Sequence, residues 1–96
     1  MSGIALSRRA RDDLAGIWAY TNVQWSATQA DRYLRLIWSV IVAVARRPDR
    51  GRSCDGIREG YMRIPAGSHM IFYRQERGRI HIIRVLHQSM DYERHL

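Results

Sequence analysis

The sequence predicts an α+β domain of order β-α-α-β-β-β: a helical hairpin packed on a small antiparallel sheet, with a short C-terminal helix. Three observations predict it. Apolar residues in the first half recur at spacings of three and four, as on one face of a helix. Ser7 and Ser26 stand where two such runs begin, as helix caps do. After Pro48 the pattern becomes extended, with Gly-bearing turns between short apolar runs.

The elements follow in order. Residues 3–7 are too short for a helix and fit a short strand. Ser7 caps a helix over residues 8–24, with Asp12 and Asp13 early in it, where the helix dipole favours acids. Its face is Ala10, Leu14, Ile17, Trp18, Thr21 and Trp25. Ser26-Ala27-Thr28-Gln29 is a capping box. The helix it opens carries the stripe Ala30, Tyr33, Leu34, Ile37, Trp38, Ile41, Val44 and Ala45. Arg46 and Arg47 suit its C-terminal carbonyls, and Pro48 ends it. The link between the helices is so short that they must run antiparallel. Trp18, Trp25 and Trp38 all fall at core spacings.

Residues 48–56 read as a loop. Strands are expected at 57–64, 68–75 and 80–87. Turns separate them at Pro65-Ala66-Gly67 and at Glu76-Arg77-Gly78-Arg79. The last strand is nearly continuously apolar, which suggests a central position buried on both faces. Strict alternation puts His81, Ile83, Val85 and His87 on one face, and Ile80, Ile82, Arg84 and Leu86 on the other. Residues 89–96 form a helical turn or two. The hairpin covers one sheet face, and the other presents its polar residues.

At 96 residues the chain is one domain, 1–96. No apolar run approaches the roughly 20 residues needed to cross a bilayer. The N-terminus lacks the apolar stretch of a secretory signal. A cytoplasmic protein with no membrane association is expected. The single Cys54 allows no internal disulfide and no multi-cysteine zinc site, and reads as an incidental loop thiol. His87 and Asp91 have helical spacing but no third ligand, so no metal is expected. No cofactor is expected either: the sequence holds no Gly-rich phosphate loop, nucleophile elbow or paired-carboxylate motif. The net charge is +7, and all 16 basic residues are Arg. Such a surface calls for an anionic partner, nucleic acid or an acidic protein segment.

His, Arg and Tyr side chains on one sheet also admit metal-free RNA cleavage. That chemistry needs a base for the 2′-hydroxyl, a cation for the phosphorane and an acid for the leaving oxygen. His69, His87, Arg63 and Tyr73 are the right residue types, as is Arg84. A His on a half-buried strand is more often structural.

The stretches LSRRARDDLAGIWAYTNVQWSATQADRYL (6–34), RRPDRGRSCDGIREGYMRI (46–64), GSHMIFYR (67–74) and RVLHQSMD (84–91) resemble, in order and spacing, the ParE toxins of the RelE/ParE superfamily. The Gly67-Ser68-His69 step and the terminal LHQ-x-MD are the most specific pieces. The resemblance implies the bacterial toxin of a type II toxin–antitoxin module, not an enzyme. It would inhibit DNA gyrase and arrest growth, and a ParD-type antitoxin would neutralise it in a hetero-oligomer. Operator DNA would be reached only through the antitoxin. For antitoxin binding the candidates are Trp25, Tyr33, Arg58, Arg63 and Arg74. For gyrase binding they are Arg84, His87, Met90, Asp91 and Arg94, and deletion of residues 91–96 should abolish toxicity alone. Two alternatives stand beside this. One is the ribosome-dependent mRNA endoribonuclease of the RelE and YoeB branch. In that branch His87 would match a catalytic His and Asp55 a carboxylate, but His69 stands where that branch carries its Arg. The other is a non-toxic antitoxin-binding module.

Overall fold

The computed structural model describes residues 3–96. Its first strand, β1, is Ile4–Leu6, and it runs straight into helix α1, Arg8–Gln24. Ser7 caps that helix: its Oγ accepts from Ala10 N–H at 2.9 Å and donates to the Ile83 carbonyl at 2.7 Å. One residue thus starts the helix and ties it to the sheet. Ser26 caps α2, Ala27–Arg46, accepting from Gln29 N–H. The hairpin is also pinned by Trp18, whose indole N–H donates to Asp31 at 2.9 Å.

A 3-10 turn at Pro48–Arg50 leads to β2, Arg52–Ser53. Then come β3, Met62–Ala66; β4, His69–Glu76; β5, Arg79–His87; and a 3-10 turn at Tyr92–Arg94. The sheet order is β1-β5-β4-β3-β2. The expected α+β class and hairpin-on-sheet layering stand, and the last strand is indeed central. The sheet, however, is mixed: β1 pairs parallel with β5, because α1 and α2 carry the chain across before it returns.

Other expectations need correction. Residues 57–61 are not strand. The Cys54 carbonyl accepts from Ile57 and Arg58, which curls the segment into turns. Part of the expected loop is instead β2, paired with Met62 and Arg63. Pro65 and Ala66 finish β3, and the turn is Gly67-Ser68. Proline is tolerated there because β2 has already ended and β3 is an open edge at that point. The C-terminal helix is a single 3-10 turn.

The largest correction concerns β5. Tyr73 lies opposite Ile82, but Phe72 lies opposite Arg84, so Ile83 is an extra residue. This bulge reverses the alternation half-way along the strand. Ile80, Ile82 and Val85 face the helices, while Ile83 and Leu86 face away.

The main core joins Ala10, Ile37, Ile41 and Val44 to Ile71, Tyr73, Ile80, Ile82 and Val85. Burying each large side chain contributes about 1.5–3 kcal/mol. The far sheet face is not left polar. Phe72, Leu86 and Cys54 form a second cluster there, covered by Ile57, Tyr61, Met70, Met90, Tyr92 and Leu96. Tyr92 packs edge-on against Phe72 at 4.8 Å between ring centroids. The C-terminal tail is therefore folded onto the sheet. Trp25 and Trp38, expected in the core, are exposed, at 75% and 46%. Helical spacing places them beside the apolar stripe; Trp25 lines a groove with Tyr20 and Tyr33, and Trp38 lines another with Ile4 and Leu6. Among the described residues no helix is long and apolar enough to cross a membrane.

Candidate functional site

The bulge in β5 has one consequence for chemistry: it brings His87 onto the helix side, directly opposite His69 of β4. Their rings meet edge to face at 5.2 Å between centroids. Tyr33 of α2 completes the group. Its hydroxyl lies 2.6 Å from His69 Nδ1 and accepts from Ser68 N–H at 2.9 Å. Gly67 makes this approach possible. It has φ +59°, and a Cβ there would fall 2.7 Å from the Tyr33 ring. Gln88 N–H bonds the Ser68 carbonyl, and the Gln88 amide donates to the Gly67 carbonyl. The two most specific sequence pieces, Gly67-Ser68-His69 and Leu86-His87-Gln88, are therefore one structural unit.

Both imidazoles are held by Nδ1. Ser89 N–H donates to His87 Nδ1 at 3.1 Å, which leaves its proton on Nε2. Burial and then the adjacent His87 push the His69 pKa below 6.5, against a smaller upward pull from Asp13. His69 is accordingly neutral at pH 7. Around the pair lies an open groove of about 340 Å³, lined by Tyr20, Trp25, Gln29, Tyr33, His69 and His87. A second groove of about 360 Å³ continues from it along α1, past Ile17 and Arg84 to Met90. Tyr20 and Trp25, which line the first groove, are largely in solvent, as is Val23 of α1.

The structure divides the sequence candidates. Trp25, Tyr33, His69, His87 and Met90 share this groove system. Arg84 reaches it but is committed: Nε and Nη2 grip both carboxylate oxygens of Asp13 at 2.8 and 2.9 Å. That pairing and hydrogen bonding raise the Arg84 pKa further. It also replaces the dipole role expected of Asp13, whose carboxylate turns to the sheet. Arg63 lies opposite Phe72, on the far face. Tyr73 is fully buried, and its hydroxyl donates to the Pro48 carbonyl and accepts from Gly51 N–H. The four residues considered for RNA cleavage are thus not one constellation. Arg58 donates to the Leu96 carbonyl, and Arg74 pairs with Glu76. Asp91 and Arg94 are exposed on the folded tail. Cys54 is buried, which pushes its thiol pKa up. Tyr20 and Val23 were missed because each sits on the polar flank of its helix pattern, and solvent exposure of an apolar side chain has no sequence signature.

The family model described as "ParE toxin of type II toxin-antitoxin system, parDE" matches residues 4–92. The chain belongs to the ParE toxin family. It is 44% identical to Toxin ParE1 of Caulobacter vibrioides over 96 residues, covering all of this chain and 99% of that one. It is 46% identical to Toxin ParE1 of Mycobacterium tuberculosis over 92 residues, 95% of this chain and 94% of that one. A solved structure titled "Chromosomal ParDE TA system from P. aeruginosa" shares the fold with a TM-score of 0.79, at 17% identity and 91% coverage of this chain, 96% of that one. The grooves described above are therefore features of a ParE toxin of a type II toxin–antitoxin system.

Proposed function

We propose that this ParE-family chain inhibits DNA gyrase and so arrests replication, and that a ParD-type antitoxin neutralises it by seating an acidic segment on the groove beside Trp25. One observation carries the antitoxin half. Tyr20, Val23 and Trp25 are 66%, 78% and 75% exposed, and Tyr20 and Trp25 line a groove on a protein of net charge +7. Clustered exposed apolar side chains mark interaction surfaces. The net positive charge of the whole protein steers an acidic partner toward it. Arg63 and Arg74 would meet that partner only if it continued round to the far face. The gyrase-facing residues are His87, Met90, Asp91 and Arg94, at the end of the sheet and on the tail. Arg84 serves them by fixing β5. Operator DNA is reached through the antitoxin.

The nuclease alternative draws on the adjacency of His69 and His87, which leaves each Nε2 free. It lacks a cation beside them, since Arg63 is on the other face and Arg84 is paired. Titrating the purified protein into a gyrase supercoiling reaction, beside an in vitro translation reaction probed for mRNA cleavage, separates the two. Lost supercoiling with intact mRNA is expected. Cut mRNA with gyrase untouched would overturn the proposal. Growth that continues on induction without antitoxin would leave only the non-toxic binding module.

A further inference from the structure

On the far sheet face three Arg residues converge, none of them in an ion pair among the described residues. Arg52 of β2 stands directly opposite Arg63 of β3. Like charges directly opposed in an antiparallel pair are destabilising. Arg50 lies two residues before Arg52, at the end of the 3-10 turn. Among the described residues, the Arg side chains in ion pairs are Arg47, Arg74 and Arg84, and none of these three is among them. They line an open groove of about 400 Å³ whose other walls include Pro65, Met70 and Tyr92, with no acidic residue in the lining. The nearest acid along the chain, Asp49, pairs with Arg47 and reaches Arg50 only through a weaker charge interaction, from outside the groove lining.

We propose that this groove binds single-stranded nucleic acid, with Arg50, Arg52 and Arg63 on the phosphates and an unstacked base against Tyr92. An anion between Arg52 and Arg63 removes the repulsion that the fold otherwise leaves uncompensated. The guanidinium fork fits a phosphate oxygen pair. Arg50 and Arg52 flank Gly51, whose backbone is extended, so the two side chains enter the groove from separate points of one edge. The floor selects the class of polymer. A basic track beside an aromatic and apolar surface is how proteins hold single strands, whose bases expose a flat face. A duplex keeps its bases stacked and offers Tyr92 nothing. An acidic peptide would satisfy the Arg residues but has no planar group to lay on the floor. This contact is direct and separate from any route to DNA through an antitoxin.

The test is fluorescence anisotropy with the full chain and three labelled probes: a short single-stranded oligonucleotide, its duplex, and a Glu-rich peptide. The single strand should bind tightest. Its affinity should fall with salt with a log–log slope of about −2, since each phosphate contact on a single strand contributes about −0.7. Arg52→Gln/Arg63→Gln should make that slope shallower by about 1.4 units and weaken binding about tenfold or more. The same double change should leave the thermal midpoint unchanged or higher, because it relieves the opposed charges, so lost binding will not be lost folding. Arg8→Gln/Arg9→Gln, which removes equal charge from the exposed start of α1, should leave the slope as it was. Tyr92→Leu should weaken single-strand binding without changing the slope. Equal loss in the α1 variant, equal or tighter binding of duplex or peptide, or no oligonucleotide binding would each overturn the proposal.

Discussion

Asp13 and Arg84 are 71 positions apart and form a two-pronged ion pair, with N–O distances of 2.8 and 2.9 Å. The same carboxylate accepts Val85 N–H at 2.9 Å. Both side chains are mostly buried. This pair clamps α1 onto β5 beside the bulge, where ladder hydrogen bonding is interrupted. Arg84 Nη1 extends the clamp to the tail by donating to the His95 carbonyl.

Asp13→Ala should therefore destabilise the fold by about 3 kcal/mol, since it leaves a largely buried guanidinium unpaired. The urea midpoint should fall with the slope unchanged. Asp13→Leu/Arg84→Met should recover much of the loss. If Asp13→Ala unfolds at the wild-type midpoint, the clamp contributes nothing.

Trp25→Ala separates partner binding from folding. Three-quarters of the residue is in solvent, so the thermal midpoint should hardly move. Affinity for a ParD-type antitoxin should drop by about 2 kcal/mol, as for an aromatic anchor at an interface. Calorimetric titration of both proteins checks this, and unchanged affinity would remove Trp25 from the interface.

The β4–β5 hairpin turns on Arg77 and Gly78, with φ of +54° and +74°. Two residues of positive φ make the mirror-image turn that suits twisted strands, and Asn or Gly fits it better than Arg. Arg77→Asn should stabilise the protein by about 0.5–1 kcal/mol, seen as a higher melting temperature.

His69 gives stability a pH dependence. In the unfolded chain it takes a proton near 6.5; in the folded protein, burial and the neighbouring His87 hold its pKa lower. Above 6.5 neither state is protonated and nothing is lost. As pH falls below 6.5 the unfolded state binds a proton that the folded state refuses, so stability declines until the folded pKa is passed. Urea midpoints measured between about pH 7.5 and pH 5.5 should fall, and His69→Gln should flatten that fall. An identical decline in the variant would assign it to other groups.

The tail needs point changes rather than truncation. Deleting residues 91–96 removes Tyr92 from Phe72 and Leu96 from the second cluster, so lost toxicity would report lost packing. Asp91→Ala/Arg94→Ala alters exposed charges only. It should keep the thermal midpoint while weakening gyrase inhibition several-fold. Unchanged inhibition would exclude the two charges from that contact.

The helical hairpin was legible because its signals are local. Ser7 and Ser26 cap within three residues, and the stripes repeat within a turn or two. The interior place of β5 in the sheet was legible from its nearly continuous apolar run. The bulge at Ile83 was not, since a strand's phase is set by its neighbour's register. That one extra residue decides that His87 meets His69, while the β3–β4 register puts Arg63 on the other face. Nor could the sequence say that Asp13 serves Arg84 rather than the helix dipole, or that Trp25 is left bare while Tyr92 is folded in. Backbone periodicity and capping are properties of a few adjacent residues. Pairing, burial and which charges find partners depend on residues brought together from opposite ends of the chain, and those only the tertiary structure decided.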